Sequence, residues 1–153
     1  VVLPASGPEL NETLLPVYKL LSGTAREIPQ NIGSGSFVDV RDVAAIHIWV
    51  YENSENADGE RYIACAGYGP YQAAADILHQ KYRGTRTAEK IVVGTPGEGY
   101  LGFNKETGDV DVVAYPPGVI QASGKKAERE VGLKYITFQQ SISDTADVLE
   151  VLL

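Results

Sequence analysis

Phe37-Val38-Asp39-Val40-Arg41-Asp42-Val43-Ala44-Ala45-Ile46-His47-Ile48-Trp49-Val50-Tyr51 is the stretch on which the fold turns. Phe37 to Val40 reads as a four-residue strand, and an amphipathic helix follows over roughly residues 41–53. Asp39 and Asp42 have the spacing of an N-cap and its N3 partner, with Asp in place of the usual Glu, and both charges favour the positive end of the helix dipole. Val43, Ile46, His47, Val50 and Tyr51 recur at spacings of three and four, which predicts a core-facing stripe.

The same alternation of short apolar runs and helical stretches continues in both directions. Upstream, Val1 to Leu3 reads as the end of a strand broken by Gly7-Pro8. A helix over about residues 14–22 follows, with Thr13 as its cap, Pro16 in its first turn and Gly23 at its end. Residues 24–36 form a loop rich in Gly, Ser and Pro. Downstream, 53–60 is a polar turn, Arg61 to Cys65 a strand, and Pro70 opens a helix reaching Tyr82 whose register is marked by Ala74, Ile77, Leu78 and Lys81. Ile91-Val92-Val93 is short and apolar, and 94–118 is loop-rich with a strand at 110–114. A helix over about 124–130 is capped by Ser123 and closed by Gly132. Thr137-Phe138-Gln139-Gln140 is a capping box opening a last helix, with Ile142, Ala146, Leu149 and Leu152 as its apolar face. The pattern predicts an α/β class with too few strong strands for a complete doubly wound sheet.

Composition narrows the function. A chain of 153 residues is expected to form one compact domain, large enough to bury about 70% of its unfolded surface. Its net charge of −7 would repel phosphates, which excludes nucleic-acid binding. No apolar run approaches the roughly 18 residues needed to span a bilayer, and Val1-Val2-Leu3-Pro4 lacks the basic and apolar regions of a signal peptide. There is no methionine, so the sequence is expected to be processed, cut or incompletely read. The single cysteine, Cys65, excludes an internal disulfide, reads as a small buried hydrophobe, and fits a reducing, cytoplasmic setting.

Few residues offer chemistry. Gly97-Glu98-Gly99-Tyr100-Leu101-Gly102 spells the dinucleotide-binding pattern. That chemistry needs the loop to open into a helix whose N-terminus holds the pyrophosphate. The segment 103–109 that follows has no apolar helical stripe, so a Gly-rich surface loop is the better reading. His47 and His79 have no Cys or carboxylate at metal-ligand spacing, so no metal is expected. Nine tyrosines are present, none with lysine four residues later, and there is no Gly-x-Ser-x-Gly elbow. No catalytic residue is assigned. Glu98, Asp109 and Asp111 are the paired carboxylates that a lone enzyme of another chemistry would have to use.

With those absences stated, the order of several short motifs resembles the second half of the extended short-chain dehydrogenase/reductases, in the branch of dihydroflavonol reductases and fungal ketone/aldehyde reductases. Phe37-Val38-Asp39-Val40-Arg41-Asp42-Val43-Ala44 is the strongest segment. Gly7-Pro8 is similar to the family's Gly-Pro after its Tyr-x-x-x-Lys helix, and Leu20-Leu21-Ser22-Gly23 resembles the end of the next helix. Gly59-Glu60-Arg61-Tyr62-Ile63, Lys125-Lys126-Ala127 with Val131-Gly132-Leu133, and the C-terminal tail follow in the family's order.

The resemblance implies a fold: the C-terminal part of a Rossmann-like domain, with a few strands plus a small helical substrate lobe, residues 1–153 forming one substrate-binding portion. It implies NAD(P)H-dependent reduction of a ketone or aldehyde, inactive without the N-terminal half that carries the Gly-rich loop and Tyr-x-x-x-Lys. NADP(H) belongs to the full-length family member, and none is expected for this chain alone. Cofactor contacts would come from Val2, Leu3, Pro4 and Ser6, although the family usually has proline where Val2 stands. Substrate contacts would come from Leu10, Asn11 and Tyr18, with the 94–102 loop. The partners implied are the missing half, or self-association through an exposed sheet edge, and a small carbonyl substrate, with no membrane. The alternative is a non-catalytic binding or regulatory module on the same fold.

Overall fold

The computed structural model describes residues 9–31 and 35–153. The strand anticipated at residues 1–3, the Gly7-Pro8 break and the cofactor contacts assigned to Val2, Leu3, Pro4 and Ser6 lie outside the described residues. In chain order the elements are α1 (Leu15–Ser22), β1 (Ser36–Phe37), α2 (Val40–Glu52), α3 (Ser54–Ala57), β2 (Gly67–Tyr68), α4 (Tyr71–Lys81), α5 (Arg86–Lys90), β3 (Leu101–Asn104), β4 (Asp109–Ala114), α6 (Lys125–Val131) and α7 (Phe138–Leu149), closed by a 3-10 turn over Glu150–Leu152. The fold is α/β with few strands and several helices, as the sequence predicts for part of a Rossmann-like domain with a helical lobe.

Helix α4 is the hub. Its short Ala73-Ala74-Ala75 run is fully buried and lets neighbouring elements approach closely, while Ile77 and Leu78 fill the space between them. Helices α1 and α7 and strand β4 pack against it, contributing Val17, Leu20 and Leu21, then Ile142, Ala146 and Leu149, then Val110. The predicted registers of α4 and α7 hold, with Lys81 at the rim of α4 in an ion pair to Asp147 of α7 at 2.6 Å. Gly23 ends α1 in the left-handed region at φ 73°, and Gly132 ends α6 in the same way at φ 72°.

The strands form two small antiparallel sheets, in which the strand anticipated at residues 110–114 is present as β4. Ser36 pairs with Tyr68 and Phe37 with Gly67, so the four-residue strand is two residues long and Val38 leads directly into the cap of α2. The predicted strand from Arg61 to Cys65 is not formed, because the pairing partner of β1 is the next segment, Gly67–Tyr68. Ile91-Val92-Val93 also forms no strand. Conversely, β3 lies inside the stretch read as loop and forms a hairpin with β4, in register at Phe103 with Val110. Gly102 makes the close approach possible: its φ is 103°, and a Cβ there would stand 1.9 Å from the Val112 carbonyl oxygen.

The caps show where side-chain choice and tertiary context diverge. Asp39 caps α2, accepting from the Arg41 amide at 2.9 Å. Asp42 does not act as the reciprocal arm: its carboxylate turns away and accepts from the Ile136 amide at 3.0 Å, tying α2 to the segment before α7. Thr13 does not cap α1. Asn11 Oδ1 accepts instead from the Leu14 amide at 2.9 Å, and Thr13 donates its hydroxyl to the same oxygen. Thr137 caps α7 by accepting from the Gln140 amide at 3.2 Å, whereas the Gln140 side chain donates to Asp144 rather than back to the cap.

Candidate functional site

The decisive stretch builds an ion-pair latch. Arg41 donates through Nε and Nη2 to the two oxygens of Asp39, at 2.9 and 2.8 Å, and through Nη1 to Asp144 of α7 at 2.7 Å. A bidentate fork on one carboxylate and a second carboxylate on the free nitrogen is the geometry guanidinium favours. The Arg41 hydrogen bonds hold the Asp39 carboxyl well below its usual range, while burial pushes Asp42 up. This constellation spends its charges internally, and its work is to fix α2 against α7.

Beside the latch lies a cleft of about 370 Å³ between α1, β1, the start of α4 and α7. Val17, Phe37, Phe138 and Ile142 supply apolar walls, with Phe37 and Phe138 edge to face at 4.9 Å. Thr13, Asn31, Ser36 and Tyr71 supply polar groups along it. Asn31 Oδ1 accepts from the Tyr71 amide at 2.9 Å, which positions the start of α4, and burial pushes the Tyr71 phenol up. A small, mostly apolar cleft with a few convergent polar groups suits a small organic ligand.

The residues assigned to substrate contact lie around α1 and do not converge on one point. Leu10 is buried in the core. Asn11 is exposed, and its side-chain oxygen accepts from the Leu14 amide and the Thr13 hydroxyl in the turn before α1. Tyr18 is half-buried and donates its hydroxyl to the Leu152 carbonyl at 3.4 Å. Of the cleft residues, Phe37 belongs to a motif visible in the sequence, but nothing in the spacing shows that it shares a wall with Tyr71.

Two further polar clusters are structural. Asp76 is buried on α4 and accepts from the Tyr100 hydroxyl at 2.7 Å, the Gly97 amide at 2.8 Å and Gln72 at 2.9 Å. Gln72 also donates to the Val93 carbonyl and accepts from the Thr95 amide at 3.0 Å each, so the pair clamps the whole 93–100 loop to α4. The Gly97-x-Gly99-x-x-Gly102 loop therefore runs into strand β3 instead of a helix, and its Gly97 amide already serves a carboxylate. Elsewhere, Cys65 is buried with its thiol 3.5 Å from the Ala122 carbonyl, beside Tyr115, whose hydroxyl donates to the Gly67 carbonyl at 3.0 Å.

The carboxylates read as an alternative site are not assembled into one. Asp109 pairs with Arg83 at 2.5 Å, and Glu98 and Asp111 are exposed. His47 is exposed and its Nδ1 lies 2.8 Å from the Val43 carbonyl oxygen. Among the described residues no group of three His, Cys, Asp or Glu side chains is placed to hold a metal ion, and no helix is long and apolar enough to cross a membrane.

No protein-family profile matches the chain. It is 29% identical over 150 residues to a cinnamoyl-CoA reductase of Medicago truncatula, covering 98% of this chain and 38% of that one. It is also 29% identical over 112 residues to an NADPH-dependent methylglyoxal reductase of Saccharomyces cerevisiae, covering 73% of this chain and 28% of that one. Its fold superposes on the crystal structure of Gre2 from Candida albicans with a TM-score of 0.67 and 25% identity, over 97% of this chain and 40% of that one. The chain thus spans between 28% and 38% of the length of the curated relatives it matches. In sequence and in fold it is homologous to one portion of the reductases of the extended short-chain dehydrogenase/reductase family.

Proposed function

We propose that residues 1–153 form the C-terminal substrate-binding portion of an NADP(H)-dependent carbonyl reductase of the dihydroflavonol-reductase and fungal ketone/aldehyde-reductase branch. The observation that carries this reading is the near-complete coverage of this chain, 97%, against only 40% of Gre2 from Candida albicans. The absence of any Tyr-x-x-x-Lys among the nine tyrosines supports it: the proton donor for a carbonyl oxygen has to come from another part of the protein.

In this reading the portion acts only with an N-terminal half that carries the Gly-rich loop and the Tyr/Lys pair. NADP(H), when bound there, supplies the hydride. Val2, Leu3, Pro4 and Ser6 are the residues proposed to contact the nicotinamide, and Asn11 and Tyr18 those proposed to meet a small ketone or aldehyde, with Leu10 behind them in the core. Among these Asn11 is exposed, with an amide nitrogen suited to a carbonyl or hydroxyl. The cleft walls of Val17, Phe37 and Ile142 suit an apolar substituent. The setting proposed is cytoplasmic.

The test follows NADPH absorbance during incubation with short aldehydes and ketones, methylglyoxal among them. The full chain as its gene encodes it should oxidise NADPH, and residues 1–153 expressed separately should not. Turnover by the 153 residues alone would sink the dependence on a second half. An encoded chain that binds no NADPH and reduces none of these carbonyls would instead favour a non-catalytic binding module.

A further inference from the structure

Phe37 and Phe138 are the two described residues that line both the cleft between α1, β1, α4 and α7 and a second, smaller cavity. The pairing of β1 with β2 brings Phe37 to this position, and α7 begins at Phe138, directly after its Thr137 cap. Their rings meet edge to face at 4.9 Å and 63°, which makes the pair the partition between the two spaces. Gly69 leaves room for the Phe138 ring, since a Cβ there would stand 2.5 Å from it. The smaller cavity holds about 160 Å³ and is bordered by Gly67, Val112, Val113 and the segment 135–139. Among the described residues that line the two spaces there is no lysine or arginine, and the one charged side chain, Asp111, borders the smaller.

We propose that the Phe37–Phe138 pair is the specificity-determining end wall of the cleft: it stops the apolar substituent of an uncharged carbonyl substrate and keeps it out of the second cavity. The inference rests on the reading given under Proposed function, which puts an apolar substituent in the cleft, and adds what limits its length. Position selects this pair over the other walls. Val17 and Ile142 border the cleft alone and belong to the core around α4, whereas open volume lies behind the two rings. Charge sets the chemistry of the substituent: an anionic one would meet no cation in the cleft and the Asp111 carboxylate beyond it. One methylene more or less in an apolar pocket changes kcat/KM by about 10- to 200-fold, which is the range over which such a wall acts.

NADPH oxidation by the full chain as its gene encodes it, measured over straight-chain aldehydes from propanal to decanal, tests the wall. For the parent, kcat/KM should rise with the length of the alkyl tail and then fall by about tenfold or more once the tail outgrows the cleft. Phe37→Leu and Phe138→Leu keep an apolar group while shortening the wall. Each should raise the ratio of kcat/KM for decanal to that for propanal by about tenfold. Damage to packing alone would lower every aldehyde in proportion and leave that ratio where it was. A parent with no length limit overturns the wall whether or not the variants fold, and so does an unchanged ratio in an active variant; the reductase reading stands in both cases. A parent that oxidises NADPH with none of these aldehydes, nor with methylglyoxal, removes the reductase reading, and the proposal falls with it.

Discussion

Asp39 and Asp42 stand three residues apart at the start of one helix, yet they meet opposite electrostatic surroundings. Asp39 gains the Arg41 fork and its folded-state pKa falls below the unfolded value, so it contributes stability that is fully present above about pH 4. That contribution is lost as pH falls through the depressed folded-state value. Asp39→Ala should cost about 0.5–2 kcal/mol at pH 7, chiefly as a lost cap, and the gap to the parent should narrow on acidification below pH 4. Thermal denaturation across pH 2–7 checks this, and a gap independent of pH would show that the latch does not titrate with Asp39. Burial acts on Asp42 in the other direction, and its compensation is the Ile136 amide. Cys65 is the residue for a separate test: its thiol is enclosed, so a disulfide reagent should label it slowly in the native chain and at once in denaturant. Fast native labelling would contradict the packing around Ala122 and Tyr115.

Among the elements, the Gly-containing segment at residues 97–102 is the most informative. Gly97-x-Gly99-x-x-Gly102 matches a phosphate-binding spelling, but the partner of its first amide is Asp76, and Gly102 serves the β3–β4 hairpin. Gly102→Ala should destabilise the fold by about 3 kcal/mol or more, because the added carbon meets a backbone oxygen at a left-handed φ. Tyr100→Phe should cost about 1–2 kcal/mol by removing one donor from buried Asp76. Chemical denaturation reads both, and a neutral Gly102→Ala would mean the hairpin register is wrong. The Thr137 cap, though not the reciprocal Gln140 arm, and the glycine stops after α1 and α6 were legible, because caps are local chemistry. Of the strands, that at residues 110–114 was legible as β4, and the pairing of β1 was not. A two-residue strand carries no periodicity, and which segment pairs with Phe37 is decided by where α4 places Gly67 and Tyr68.

At the scale of the whole molecule, three helices and a hairpin share one core centred on α4, and stability should follow that geography. Leu78→Ala, at full burial, should cost about 2–5 kcal/mol. Ile48→Ala should stay within about 0.5 kcal/mol in the 153-residue chain, because it lies on the exposed side of α2, where the structure also places His47 and Tyr51 of the expected core stripe. Denaturant titration of the two variants distinguishes them, and a large loss at Ile48 in that chain would mean that its face is covered. The sequence by itself determined the α/β class, the helices α1, α2, α4, α6 and α7 with several of their caps, the lack of a Tyr-x-x-x-Lys pair, and the likeness to one portion of the extended reductases. These follow from spacing and side-chain chemistry acting over a few residues. Only the tertiary structure decided which face of α2 is covered, which partner takes the Asp42 and Gly97 groups, and that Val17, Phe37, Tyr71 and Phe138 line a common cleft. Those outcomes depend on groups far apart in the chain, where burial and geometric fit, rather than local propensity, choose the neighbour.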